Sequence, residues 1–166
     1  MGNPGLGKTE VGRIIKNELN PNAGIIKINF GNYSSKDSLN SLIGSLAGYI
    51  GCEGGELGKK IKENPVGVII CDEFEKADAE IKNFFLELLE DGKFTDSMSR
   101  EYDLNGYIVV FTSNIRDENQ FYNKMSLEFE SRLSMICEFT SLSNAEKEKY
   151  ITFQIENCIK KMTEKT

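Results

Sequence analysis

A glycine-rich turn at the start of the chain has the residue types of a phosphate-binding loop. Residues 2–9 read Gly-Asn-Pro-Gly-Leu-Gly-Lys-Thr, with four residues between the first glycine and the Gly-Lys-Thr triplet. Glycines let the backbone curl so that amide N–H groups converge on one anion, while a lysine supplies a cation and a threonine hydroxyl can ligate Mg²⁺. A helix that begins at Lys8 would add the positive end of its dipole. The residues assigned to this site are Gly2, Asn3, Pro4, Gly5, Leu6, Gly7, Lys8, Thr9 and Glu10.

This pattern predicts a nucleotide phosphate site with Mg²⁺ held by Thr9. A glycine turn that merely precedes a helix is the plain alternative, because short patterns also match by chance.

Two adjacent acids, Asp72 and Glu73, follow an apolar run over 66–71. Such a run is typical of a strand buried on both faces of a parallel sheet. Because ligands of open α/β sheets lie at the carboxyl ends of strands, we expect these acids beside the phosphate loop. Asp72 suits the ligand shell of Mg²⁺, and Glu73 could polarise a water for attack on the γ-phosphorus. The plain alternative is an acidic turn after a buried strand. It is less favoured because the phosphate-loop pattern occurs in the same chain.

A third polar group, Thr-Ser-Asn over 112–114, follows another predicted strand. The amide of Asn114 could hold the attacking water or touch the γ-phosphate. Alone, these residues would be an ordinary turn.

Strand and helix patterns alternate along the chain, which predicts an α/β domain whose parallel sheet is flanked by helices. A glycine-rich loop is expected over 47–55, and the polar stretch 91–106 is expected to be flexible. Helices are predicted over 8–19, 36–46, 56–63, 79–90 and from a capping box at 143–146 to about 162, and strands over 25–30, 66–71, 107–112 and 135–139.

The composition is that of an ordinary globular protein of 166 residues with a net charge of −6. The lack of histidine removes imidazole bases and histidine metal ligands from consideration. The acidic balance makes nucleic acid and anionic membrane poor default partners. Four cysteines without a C-x-x-C pair fit reduced thiols, and no apolar run approaches membrane-spanning length. We therefore expect a cytoplasmic protein that binds neither nucleic acid nor membrane.

The motifs at 2–9, 71–77 (Cys-Asp-Glu-Phe-Glu-Lys-Ala), 90–96 (Glu-Asp-Gly-Lys-Phe-Thr-Asp) and 111–114 (Phe-Thr-Ser-Asn) occur in one order. Together they resemble the AAA+ ATPase core of the Clp/Hsp100 unfoldases, in particular the second ATPase domain of ClpB-, ClpA- and ClpC-type proteins. The resemblance implies a P-loop NTPase fold, with the large AAA+ subdomain over 1–142 and the first helix of an incomplete lid subdomain over 143–166.

The resemblance also implies an ATPase that uses ATP and Mg²⁺ and remodels protein substrates as a hexamer. Lys8 and Thr9 would be the Walker A residues, with Thr9 on Mg²⁺. Asp72 and Glu73 would be the Walker B pair, with Glu73 activating water, and Asn114 would be sensor 1.

Two further positions of the family, the pore loop and the arginine finger, have candidates in this chain, and each candidate has an alternative interpretation. Ala47-Gly48-Tyr49-Ile50-Gly51 stands where the family has a pore loop that grips polypeptide, although Tyr49 could instead fold back on its own domain. Residues 91–103 would be the second pore loop. Arg132 is the candidate arginine finger, with Arg116 competing and a solvated surface arginine as the plain alternative.

The chain departs from the family at both ends. The family has a buried central strand directly before the phosphate loop, and only Met1 stands there in this sequence. We therefore expect a sheet without its first central strand, in a fragment or truncated product with weak ATP binding, slow turnover and poor ring assembly. The family also has an Asp-Met-Ser-Glu-Tyr segment after its second strand. The corresponding residues 29–33 of this chain read Asn-Phe-Gly-Asn-Tyr, so the acidic residues are lost.

Three functions are compatible with these patterns. The first is ATP hydrolysis coupled in a hexameric ring to unfolding or remodelling of protein substrates. The second is a nucleotide-binding assembly or regulatory module without threading activity. The third, a loader acting on DNA, is disfavoured by the acidic charge balance and by the Gly-Tyr-Ile-Gly loop.

Overall fold

The computed structural model describes residues 1–35, 37–45 and 55–163. Helices and strands alternate along the first part of the chain, as the sequence predicts. The helices are α1 (Lys8–Leu19), α2 (Ser38–Ile43), α3 (Glu56–Glu63), α4 (Ala79–Asp91), α5 (Glu118–Lys124), α6 (Leu127–Ser131) and α7 (Asn144–Thr163). The strands are β1 (Gly24–Asn29), β2 (Gly67–Asp72), β3 (Lys93–Thr95), β4 (Glu101–Asp103) and β5 (Ile108–Phe111).

The main sheet is parallel, in the order β1-β2-β5, and this confirms the predicted α/β fold with a parallel sheet and flanking helices. β2 lies in the centre and is buried from Gly67 to Cys71, as its continuous apolar run predicts. The register pairs Asn29 with Asp72 and Cys71 with Phe111, so the carboxyl ends of all three strands meet at one edge.

The prediction of a strand over 135–139 is wrong. The structure has one parallel bridge there, between Gly2 and Phe139. The Phe139 N–H donates to Met1 O at 2.8 Å, and the Gly2 N–H donates to Ile115 O at 2.9 Å. A strand needs a neighbouring backbone along its length, and Met1 and Gly2 supply that neighbour for only two residues.

The prediction that 91–106 is flexible is also wrong, because β3 and β4 form an antiparallel hairpin there. Asp96, in the turn of the hairpin, accepts hydrogen bonds from the Met98 and Arg100 backbone N–H groups at 2.9 and 3.0 Å. Its other oxygen accepts from Arg100 Nε at 2.8 Å and from the Tyr102 hydroxyl at 3.0 Å. These bonds satisfy the buried carboxylate and order a polar sequence.

An aromatic cluster fills the core on one face of the sheet. Phe74 lies at its centre, with ring centroids 5.1 Å from Phe30, 5.2 Å from Phe85 and 4.7 Å from Phe111. Phe129 of α6 stacks on Phe74 at 5.2 Å. Because Phe74 directly follows Asp72 and Glu73, this packing holds the acidic tip of β2 in place.

The capping box at the start of α7 forms as predicted. Glu146 accepts from the Ser143 N–H at 2.8 Å, and Ser143 Oγ accepts from the Glu146 N–H at 3.3 Å. Apolar side chains on α7, including Ile155 and Met162, are more than half exposed. None of the helices within the described ranges is both long and apolar enough to span a bilayer.

Candidate active site

The phosphate loop has the backbone that its glycines predict. Gly5 and Gly7 have φ of +80° and +84°, a region that residues with a side chain rarely adopt. A Cβ on either residue would meet no atom within 4 Å, so these glycines are needed for conformation rather than for space. Gly7 is the N-cap of α1, and its carbonyl accepts from the Glu10 N–H at 3.0 Å.

Close packing of α1 on the sheet positions this loop. A Cβ on Gly12 would lie 2.5 Å from Ile70 Cδ1 of β2, which shows how near the helix approaches the strand. The approach brings Lys8 and Thr9, in the first turn of α1, to the carboxyl end of β2.

The Lys8 ammonium lies inside the loop. It donates to the carbonyl oxygens of Gly2 and Asn3, each at 2.7 Å, and to Asn114 Oδ1 at 3.0 Å. Burial lowers the pKa of Lys8 from its usual value, although nearby carboxylates, that of Glu75 foremost, oppose the shift.

Asp72 is the most densely bonded carboxylate of the site. Its Oδ1 accepts from Thr9 Oγ1 at 3.1 Å and from the Thr112 hydroxyl. Its Oδ2 lies 2.7 Å from the Lys27 ammonium. Burial alone would raise the pKa of Asp72, but the hydrogen bonds from Lys27 and Thr112 outweigh burial and hold the pKa below its usual value.

Glu73 sits at a strained turn directly after β2. Its φ of +56° is left-handed, which is uncommon for a residue with a side chain and costs about 1–3 kcal/mol. Its Oε2 lies 2.9 Å from the Lys76 ammonium, and its Oε1 accepts from Asn114 Nδ2 at 3.3 Å. The turn directs the Glu73 carboxylate toward Asn114, in the segment after β5.

Asn114 joins the parts of the cluster. Its side-chain amide bonds both Lys8 and Glu73, and its backbone N–H donates to Glu75 Oε1 at 3.1 Å. The other oxygen of Glu75 is buried and has no hydrogen-bond partner within the described part of the chain. The structure thus brings together five residues that the sequence predicts for one site: Lys8, Thr9, Asp72, Glu73 and Asn114. We call them the catalytic cluster, after the role that the sequence predicts for them.

Arg132 is not bonded to the catalytic cluster. Its guanidinium lies 2.8 Å from Glu90 Oε2 on α4, and its buried Nε has no partner among the described residues. The competing candidate, Arg116, is exposed. Tyr49 lies outside the described residues.

The residues of the cluster fit a Mg²⁺–nucleotide. Mg²⁺ prefers oxygen ligands, and a hydroxyl and a carboxylate oxygen already lie 3.1 Å apart at Thr9 and Asp72. Within the described ranges, no group of three or more cysteine or acidic side chains is arranged to hold a metal alone. Phosphate oxygens and water would therefore have to complete the shell, which is the usual arrangement for Mg²⁺ bound with a nucleotide.

Lys27 and Glu75 belong to the site but were not singled out from the sequence. Lys27 lies in β1, and the two-residue period of a strand places it on the same face as Asn29, next to Asp72. That alternation could have indicated Lys27 once β1 was known to pair with β2. Nothing in the sequence indicated that Glu75 would bond the Asn114 backbone.

Comparison with known proteins agrees with this geometry. The sequence model of the AAA domain (Cdc48 subfamily) matches residues 1–162. The chain belongs to this AAA family. This AAA domain is 30% identical to the chaperone protein ClpB of Prochlorococcus marinus, over 99% of the chain and 22% of that protein. It is 34% identical to ClpB of Clostridium tetani over 96% of the chain and 21% of that protein.

A solved structure supports the same assignment. The AAA domain matches the closed-state cryo-EM reconstruction of Hsp104 with ATPγS and FITC-casein, with a TM-score of 0.82 and 26% identity, over 95% of this chain and 31% of that one. The predicted Clp/Hsp100 membership is therefore confirmed. The chain spans about a fifth of the length of the two ClpB relatives.

Proposed function

We propose that this AAA domain binds ATP with Mg²⁺ in the catalytic cluster and hydrolyses it to ADP. In the intact protein, hydrolysis would be coupled within a hexameric ring to unfolding or remodelling of protein substrates in the cytoplasm. The observation that carries the proposal is a set of hydrogen bonds at the carboxyl ends of β2 and β5, in which Asn114 bonds both Lys8 and Glu73, and Thr9, next to Lys8, bonds Asp72.

Each residue of the cluster has a role that suits its contacts. The Lys8 ammonium, now bonded to loop carbonyls, can turn to the β- and γ-phosphates. Thr9 and Asp72 would hold Mg²⁺, which would neutralise charge on the phosphates. Glu73 can take a proton from the attacking water, and Asn114 can orient that water or the γ-phosphate.

The ring function is supported by likeness and by one contact. Hsp104 was reconstructed with ATPγS and casein, so a relative of this domain was captured with a nucleotide analogue and a protein. We propose that Tyr49 contacts the substrate and that Arg132 reaches the nucleotide of the next subunit. The Arg132 side chain is 32% exposed and its guanidinium pairs with the exposed Glu90, so it lies at the surface of the domain.

The second candidate is an assembly or regulatory module that binds nucleotide without threading protein. The ion pair between Arg132 and Glu90 favours it, because a finger held within its own chain does not reach a neighbour. The two candidates differ in one measurement: added casein should stimulate ATP turnover only under the first.

Nucleotide binding is tested by titration calorimetry with Mg²⁺·ATP on the wild type and on Lys8→Ala. Loss of the Lys8 cation should weaken binding by at least about tenfold, which corresponds to about 1.4 kcal/mol. Lys93→Ala, which removes an exposed strand lysine outside the cluster, is the control and should bind as the wild type does. Equal heats for the wild type and Lys8→Ala would defeat the proposal.

A further inference from the structure

The Lys27 ammonium lies beside the carboxylate of Asp72, which would bind Mg²⁺ under the proposed function. Its ammonium lies 2.7 Å from Asp72 Oδ2, although its Cα pairs with Ile70 rather than with Asp72. The lysine side chain therefore runs along the strand toward the active edge, a distance of about two residues, or about 6.6 Å. Its side chain is 46% exposed, whereas that of Asp72 is 14% exposed.

The two oxygens of Asp72 have different partners. Oδ1 accepts from the hydroxyls of Thr9 and Thr112, and Oδ2 faces Lys27. Because the two threonines hold the carboxylate by Oδ1, Lys27 is not needed to orient it. What Lys27 adds is a positive charge beside the oxygens that would attract a metal.

We propose that Lys27 acts through the charge of Asp72 and sets how strongly nucleotide binding depends on Mg²⁺. It is a resident cation that offsets part of the carboxylate's charge, so that Mg²⁺ meets a weaker ligand than an unpaired aspartate. This inference rests on the proposed function, because it requires Asp72 to face the metal of a bound nucleotide.

The expected effect has a definite sign and size. Removing the Lys27 charge frees Asp72 for the metal, so the gain in nucleotide affinity on adding Mg²⁺ should increase. An ion pair in which one partner is largely open to solvent, as the 46% exposed Lys27 is, is worth up to about 1 kcal/mol, which corresponds to about fivefold in affinity. A merely structural role for Lys27 predicts the opposite sign, because a disordered Asp72 would bind Mg²⁺ less well.

The test measures the affinity of a fluorescent ADP analogue for the full chain in excess Mg²⁺ and in excess EDTA. The coupling ratio is the dissociation constant in EDTA divided by the dissociation constant in Mg²⁺. It measures how much Mg²⁺ strengthens nucleotide binding, and it requires no turnover. Lys27→Met keeps the aliphatic stem, and Lys27→Arg keeps the charge. Lys93→Met is the matched control, because Lys93 also lies in a strand and pairs with a carboxylate, Glu101 at 3.3 Å.

We expect the coupling ratio of Lys27→Met to rise about threefold to fivefold, while Lys27→Arg and Lys93→Met stay at the wild-type ratio. An unchanged or lower ratio in Lys27→Met overturns the inference. Should Lys27→Met aggregate, Lys27→Gln is read by the same criterion. Failure of the proposed function would look different, since the wild type and Lys8→Ala would then bind the analogue equally weakly in both buffers.

Discussion

Glu73 combines backbone strain with two side-chain partners, and this makes its carboxylate the group to test at the scale of single residues. Lys76 and Asn114 both bond it, at 2.9 and 3.3 Å. Substitution by glutamine keeps the shape and one acceptor oxygen, loses one of the two hydrogen bonds, and removes the group that could take a proton from water. Strain of this kind persists only where the surrounding structure holds it, and it is concentrated at functional sites.

We predict that Glu73→Gln binds ATP within about twofold of the wild type but hydrolyses it about 10²–10⁴ times more slowly, the usual range for loss of a general base. Phosphate release over time measures turnover, and calorimetry measures binding. Glu87→Gln, on the exposed side of α4, is the control. Equal turnover of Glu73→Gln and the wild type would remove Glu73 from the proposed mechanism.

The β3–β4 hairpin depends on one buried carboxylate, that of Asp96. Hydrogen bonds from Arg100 and Tyr102 to Asp96 outweigh the cost of burying it and lower its pKa to about 2, from 3.8. A lowered pKa means that the folded state favours the ionised form. The stability from Asp96 is therefore complete above about pH 4 and is lost as the pH falls toward 2.

We predict that Asp96→Asn lowers the free energy of unfolding by about 1–2 kcal/mol at pH 7, with a smaller difference from the wild type at pH 3. Urea denaturation at the two pH values measures this. The exposed Asp91 provides the control variant, Asp91→Asn, which should unfold as the wild type does. A difference that stayed constant with pH would mean that Asp96 acts through packing rather than through its charge.

At the scale of the whole molecule, the main sheet is open along one edge. Within the described residues, β5 pairs with β2 alone, and the backbone of Met1 and Gly2 lies between Ile115 and Phe139 at the end of that edge. Ile108 of β5 and Met135 are 37% and 76% exposed. An extended apolar segment that runs into Met1 would pair with β5 and cover these side chains.

We predict that fusing Val-Ile-Leu-Val-Phe before Met1 raises the free energy of unfolding by about 2–4 kcal/mol, since buried aliphatic side chains contribute about 1.5–3 kcal/mol each before the entropy of ordering is subtracted. Urea denaturation measures the change. A Ser-Gly-Ser-Gly-Ser fusion of equal length is the control. If both fusions unfold alike, the edge does not accept a strand.

The division into a large subdomain over 1–142 and a lid helix over 143–166 stays a prediction.

The sequence alone determined the phosphate loop, the bounds of α1 and α3, the central strand β2 and the capping box of α7. These follow from local chemistry, since glycine spacing, helical periodicity and a continuous apolar run each act within a few residues. The same local patterns placed Asp72, Glu73 and Asn114 at strand ends, so their joint location followed from the rules of parallel sheets.

The remaining features depend on contacts between distant parts of the chain. The apolar segment 135–139 has the composition of a strand, yet pairing depends on a neighbouring backbone that composition does not reveal. The polar stretch over 91–106 is ordered because its hairpin packs on the rest of the fold: the Phe94 ring lies 5.5 Å from that of Phe84 in α4, and the Ser97 N–H donates to Ile43 O at 3.1 Å. Lys27 reaches Asp72, 45 residues later in the chain, because β1 and β2 pair in one register, and a pairing between distant segments is set by the fold as a whole.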